Sequence, residues 1–231
     1  MLKIAPRLLP FLLWIASATL PPLAADKPPV SPFARWEPEI QAFEKADQTN
    51  PPPRGGIVFV GSSSIRKWTT LADDFPGLPV IQRGFGGSQI MDSTHFASRI
   101  ILPYEPKLVV LYAGDNDLAT GRKPGQVLAD FKEFVSTIRA QAPGAGIAFV
   151  SIKPSPSRWK IADQMRAANR LIAEFCRGDS KLRYIDVFTA MLADDGKPRP
   201  ELFLGDQLHM NRQGYALWSS IIRPQLKDFG F

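Results

Sequence analysis

The sequence predicts an α/β fold built on one doubly wound, five-stranded parallel sheet. Three observations carry that expectation. Short runs rich in apolar residues, at 57–60, 79–81, 108–112, 147–152 and 183–187, suit strands buried on both faces. Stretches with apolar residues at helical spacing alternate with them. Glycines or polar turn residues follow several of the runs at their carboxyl ends, where sheets of this kind bind their ligands. Strands alternating with amphipathic helices put helices on both faces of the sheet.

The chain opens with Lys3 and Arg7, an apolar run from Leu8 to Leu20 broken by Pro10, and the small residues Ala24 and Ala25. A basic start, a short apolar middle and a small-residue exit predict a signal peptide over residues 1–25. Cleavage after Ala25 would leave a periplasmic or secreted protein with no stable membrane insertion. The run is short and proline-broken for a spanning helix. Leu23, third before the cut, leaves an uncleaved anchor as the alternative. Residues 26–53 read as a proline-rich linker and a helix, with Trp36, Ile40 and Phe43 at helical spacing and Pro51, Pro52 and Pro53 forbidding helix beyond it.

The main domain is expected over residues 54–231. Its first strand, 57–60, lies between Gly56 and Gly61, and the second, 79–81, is ended by Gly84. Residues 90–101 read as helix, and strand three, 108–112, is closed by Ala113 and Gly114. Val127, Phe131, Phe134, Val135 and Ile138 share one face of a helix over 125–141. After strand four, Ile161, Met165, Ala168, Ile172 and Phe175 mark another helix, whose apolar side holds Cys176, expected in the core. After strand five, Asn211 is a good N-cap for a last helix that Pro224 ends or kinks.

Composition excludes several classes. The chain has 28 basic and 22 acidic residues; residues 1–25 hold Lys3, Arg7 and no acid, so the remainder has 26 and 22, a net charge of +4. No Lys/Arg cluster with interleaved aromatics marks a nucleic-acid surface. A single cysteine rules out an intramolecular disulfide. The oligomeric state is not written in the sequence.

The chemistry is expected at the strands' carboxyl ends. Gly61-Ser62-Ser63-Ser64 follows strand one, Gly84 to Ser88 follows strand two, and Gly114-Asp115-Asn116-Asp117 follows strand three. Asp206 and His209, three residues apart, come before the last helix. A serine hydroxyl attacks a carbonyl only when a base takes its proton; His209 can do so, with Asp206 holding the ring. The resulting oxyanion needs donors already aimed at it, which the Gly87 turn, the Ser63 N–H and the Asn116 amide can supply. Ser63 is the expected nucleophile. Gly61 permits the sharp exit from the strand, Ser62 opens the turn, and Ser64, ahead of Ile65, is expected to cap the next segment. Trp68 and Trp159 are expected to offer flat apolar faces to substrate.

Together these residues resemble the SGNH hydrolases, the GDSL-type esterases and lipases. That family is marked by a serine in a Gly-Asp-Ser turn, a glycine, an asparagine in Gly-x-Asn-Asp, and a C-terminal Asp-x-x-His. The matching positions are Gly61-Ser62-Ser63, Gly87, Gly114 to Asp117, and Asp206 to His209, with Ser62 where the family has aspartate. The resemblance covers residue 55 to the end. It implies a flavodoxin-like three-layer α/β/α sandwich, hydrolysis of carboxylic esters, and no metal or cofactor.

Rival readings are weaker. Asp115 and Asp117 lack a supporting His or carboxylate cluster for a metal. The glycine turn after strand two has Gln89 where a dinucleotide fingerprint has its third glycine. His95 sits in a predicted helix away from the glycine turns. Within the resemblance, a non-catalytic glycan- or lipid-binding module is the alternative to an enzyme, and lysophospholipase or thioesterase activity is the alternative to a short-acyl esterase acting on an O-acetylated carbohydrate.

Overall fold

Five strands form and pair all-parallel: β1 (Ile57–Gly61), β2 (Val80–Gly84), β3 (Leu108–Tyr112), β4 (Gly146–Val150) and β5 (Leu182–Ile185), in the spatial order β2-β1-β3-β4-β5. The structure is a computed structural model and describes Leu2 and residues 31–231. The chain divides into two units, Met1–Ser31 and Pro32–Phe231, and the sheet belongs to the second. The expected signal peptide lies outside the described residues, Leu2 excepted. Among the described residues no helix is long and apolar enough to cross a membrane.

The strand alternation sorts the core into two halves. Val58, Val60, Val109, Leu111, Ile147 and Phe149 point to one face. They meet α1 (Glu37–Thr49), α4 (Ile90–His95), α5 (Ala97–Ile100), α7 (Pro124–Gln141) and α8 (Ala162–Arg177). Ile57, Phe59, Leu108, Val110, Tyr112, Ala148 and Val150 point to the other, where α2 (Ser63–Arg66), α3 (Leu71–Asp74) and α9 (Arg212–Leu226) lie. A short α6 (Asp115–Ala119) follows β3. The three layers of the sequence expectation are thus present. Cys176 is buried in the first half, as expected, and burial pushes its thiol up to about 12.

Three elements differ from the sequence reading. Strand two runs on through Gln82 and Arg83 because Arg83 is buried with partners of its own: Asp47 at 2.5 Å and the Tyr104 hydroxyl at 2.8 Å. The helix expected over 90–101 breaks at Phe96, which turns its ring into the core. The helix read as part of a linker region is built into the domain. Asp47 on α1 takes Arg83, while Arg99 on α5 pairs with Glu37 and Glu44 of α1 at 2.8 and 2.7 Å.

Two glycines make the tight strand exits possible. Gly61 has φ +132°, and a Cβ there would stand 1.9 Å from the Tyr112 carbonyl oxygen of the neighbouring strand. Gly114 has φ +111° and a Cβ would meet Ile152 at 2.7 Å. Only a residue without a side chain fits either position.

Candidate active site

The strand order reverses between β1 and β3, and a doubly wound sheet opens its crevice at such a reversal. Ser63 stands at the first position of α2, just past the Gly61 exit, half-buried. From the far end of the chain His209 reaches it: His209 Nε2 lies 3.0 Å from Ser63 Oγ. His209 Nδ1 lies 2.5 Å from Asp206 Oδ2.

The turn that carries the pair is stiff. Asp206 Oδ1 accepts the backbone N–H groups of Leu208 at 3.0 Å and His209 at 2.9 Å, while Gln207 between them is held at φ +53°. Such an aspartate-centred turn stabilises a backbone conformation that most residues avoid. The His209 contact, followed by these backbone donors, holds the Asp206 carboxyl well below the usual carboxylate range. An ionised carboxylate accepts, so Nδ1 carries the ring proton and Nε2 is left to accept from the Ser63 hydroxyl.

The other two serines are placed differently. Ser62 and Ser64 are each 1% exposed. Ser62 Oγ has no hydrogen-bond partner among the described residues. Ser64 does not cap the next segment: Ser62 is the N-cap residue of α2, and Ser64 turns inward toward Tyr112. The cap expectation fails because the helix starts at Ser63, two residues earlier than Ile65 suggested.

Two backbone donors in the strand exits are unspent. Neither the Ser63 N–H nor the Gly87 N–H has an acceptor among the described residues. Gly87 has φ +76°, and the turn containing it is tied to Asn116, whose Nδ2 donates to the Ser88 carbonyl at 2.9 Å. That leaves one Asn116 N–H unspent. Its Oδ1 accepts from Arg158 at 2.8 Å.

Behind Asn116 lies a buried charge cluster. Asp115, 4% exposed, has Arg158 at 2.9 Å and Lys153 at 3.3 Å, and Lys153 also donates to the Tyr112 hydroxyl at 3.2 Å. Burial alone would raise the Asp115 carboxyl, but the two cations outweigh it and hold it below its ordinary value. Burial likewise depresses the Lys153 ammonium. Asp115 was read in the sequence as part of its turn, but the roles of Lys153 and Arg158 were missed. Their signal was positional: both cations follow β4 at its carboxyl end, the edge searched for serines and glycines. Asp115 and Asp117 are occupied by these cations and by backbone N–H groups, and among the described residues no group of three or more His, Cys, Asp or Glu side chains could hold a metal.

Of the two tryptophans, Trp68 parts company with expectation. Trp68 is 1% exposed; its ring stacks on Tyr215 and its Nε1 donates to Asp74 at 2.7 Å, so it is core and cannot face substrate. Trp159 is half-buried with the Arg166 guanidinium 5.3 Å over its ring, and no contact links it to Ser63 or His209. His95 stacks on Phe33 at 3.8 Å, away from the pair. A hollow of about 350 Å³ beside β5, lined by Arg166, Tyr184, Phe188 and Leu192 among others, contains none of the site residues.

A serine on a strand exit with a histidine–aspartate pair against it is an arrangement able to support serine-type hydrolysis. Residues 56–217 match the GDSL-like Lipase/Acylhydrolase family, and the chain belongs to that family. It is therefore an SGNH-type ester hydrolase. Solved structures agree in fold. A Streptococcus pneumonia protein described as a platelet activating factor matches with TM-score 0.74 at 17% identity, covering 84% of this chain and 94% of that one. A GDSL-like lipase from Bacteroides thetaiotaomicron matches with TM-score 0.65 at 19% identity, covering 85% and 97%. A carbohydrate esterase family 3 protein from Talaromyces cellulolyticus matches with TM-score 0.59 at 18% identity, covering 75% and 96%. No curated protein shows a significant match to the chain.

Proposed function

We propose that the protein is a secreted or periplasmic serine esterase that removes short acyl groups, acetyl foremost, from a carbohydrate. Ser63 is the nucleophile, His209 the base, and Asp206 the group that orients it. The observation that carries this is the unbroken line from Asp206 through His209 to Ser63 Oγ, at 2.5 and 3.0 Å. As Ser63 Oγ attacks the ester carbonyl, its proton passes to His209 Nε2. The negative charge forming on the carbonyl oxygen is met by the N–H groups of Ser63 and Gly87 and by the Asn116 amide. His209 then gives its proton to the departing alcohol oxygen, leaving an acyl-serine. Water, deprotonated by the same histidine, releases the acid and restores the serine.

Two features support the substrate class. The pair lies near the surface, with the His209 side chain 18% and the Asp206 side chain 47% exposed. That suits a polar alcohol reaching the serine from solvent better than a long chain that must be sheathed from water. A carbohydrate esterase is among the structures that share the fold. An ester panel of graded acyl length, run beside O-acetylated glycans, tests the reading: acetyl esters should turn over fastest, and a preference for long-chain, lysophospholipid or thioester substrates overturns it. Export rests on the leader-like segment ahead of Asp26, and N-terminal sequencing of the exported protein checks it, a start at Met1 with membrane retention counting against cleavage.

A further inference from the structure

Resting on the serine–histidine reading above, we propose that Arg158 is a positioning residue for the oxyanion, acting through the Asn116 amide and anchored from behind by Asp115 and Lys153. The Asn116 side chain is gripped at both ends. Its Nδ2 donates to the Ser88 carbonyl at 2.9 Å, and its Oδ1 accepts from Arg158 at 2.8 Å. With both ends fixed, the second Nδ2 hydrogen has one direction to point. The Arg158 contact also acts electronically: a cation on the amide oxygen draws density from the nitrogen and makes the remaining N–H a stronger donor.

Arg158 is itself held by a structure too costly to be incidental. Asp115 and Lys153 are buried, and with Arg158 they place two cations against one carboxylate in the floor of the site. Burying charge costs several kcal/mol per ion before pairing, so the pairing of Asp115 with Lys153 and Arg158 fixes where Arg158 stands. The loop carrying Arg158 touches the other half of the site as well, since the Ser157 N–H donates to the Gln207 carbonyl at 3.1 Å. One short segment after β4 therefore sets the spacing between the oxyanion amide and the histidine turn.

A double-mutant cycle on acetyl-ester hydrolysis tests this, with Arg158→Gln, Asn116→Ala and the pair. Removing one oxyanion donor costs roughly 10²–10³ in kcat. Arg158→Gln, which leaves the donor present but loose, should cost roughly 10- to 100-fold in kcat with KM held. Affinity for a boronic acid that forms a tetrahedral anionic adduct on Ser63 should fall in parallel. In the Asn116→Ala background Arg158→Gln should cost little more. The proposal is overturned by a loss that falls on KM alone, by the same fold-loss in both backgrounds, or by no loss. If Arg158→Gln does not fold, Arg158→Lys carries the same cycle, keeping the charge while losing the fork that spans Asp115 and Asn116. A failure of the underlying reading looks different: Asn116→Ala would then be as active as the parent, or Ser63→Ala would still hydrolyse esters.

Discussion

Three adjacent serines share the turn after β1, and geometry separates them by what each hydroxyl meets. Ser63 meets His209 at 3.0 Å; Ser62 Oγ has no hydrogen-bond partner among the described residues; Ser64 faces the buried Tyr112. Ser63→Ala should therefore fold normally, lose at least roughly 10³-fold in kcat and fail to take up a fluorophosphonate probe. Ser62→Ala should keep activity and lose no stability, because a buried hydroxyl without a partner is already a burden on the fold. Probe labelling, melting temperature and peptide mapping of the adduct distinguish the two outcomes. The pH profile follows from Asp206. Its carboxyl is held well below the usual carboxylate range by the His209 contact, so it is not expected to add a second proton to the acid-side loss. Log kcat/KM should thus fall on the acid side with a slope of one, and a slope of two would mean that a second group must also be deprotonated. His209→Ala should abolish turnover and His95→Ala should not. Ser63 could be read in the sequence because it sits just after a strand, and Asp206 and His209 because they stand three apart ahead of the last helix. Trp68 could have been placed as well: Ile65, Trp68, Leu71 and Phe75 recur three and four apart, the spacing of a buried stripe.

At the level of elements, the helices that could be read were the long ones. Four-residue helices such as α2 and α3 are too short to show a period, and here they form the wall that carries the nucleophile. What fixes them is α9. Asn211 caps it by accepting from Gln213 at 2.9 Å and Gly214 at 3.2 Å, as its residue type foretold. Tyr215 on its first turn then donates to the Ser64 carbonyl at 2.9 Å, and Arg212 reaches Asp74 at 2.7 Å. Such cross-chain contacts cannot be seen in a sequence, since no local pattern links residue 64 to residue 215. Tyr215→Phe keeps the ring stacked on Trp68 but leaves the Ser64 carbonyl without its donor. It should cost about 1–2 kcal/mol of stability by urea denaturation, with a several-fold loss in kcat as the serine turn loosens. Unchanged kcat would show that the turn holds its geometry without α9.

At the scale of the whole molecule, stability should depend on pH through a residue that does no chemistry. Asp117 is fully buried, accepting from Ile90 at 3.1 Å and Gly114 at 3.0 Å and so joining α6 to α4. Burial pushes its carboxyl up to about 7, with the backbone N–H groups of Ile90 and of Asp117 itself restraining the rise. In the unfolded chain it titrates near the ordinary value of about 3.9. The folded state thus holds the proton more tightly, so this residue's contribution is fully present below about pH 4, declines as pH rises, and levels off above 7. Asp117→Asn should flatten the change in urea midpoint between pH 4 and 7; an unaltered slope would place the titration elsewhere.

The distance along the chain between Ser63 and His209 has a consequence in time. They are 146 residues apart, and the sheet between them is all-parallel, each strand waiting on a crossover before it can pair. A ribosome releases the serine turn first and the histidine turn near the end. Until residues from Asp206 onward emerge and α9 closes over α2, the emerging chain carries a serine with no base and no brace. On the proposed triad, the serine gains its base only once the histidine turn is made and α9 has docked against α2.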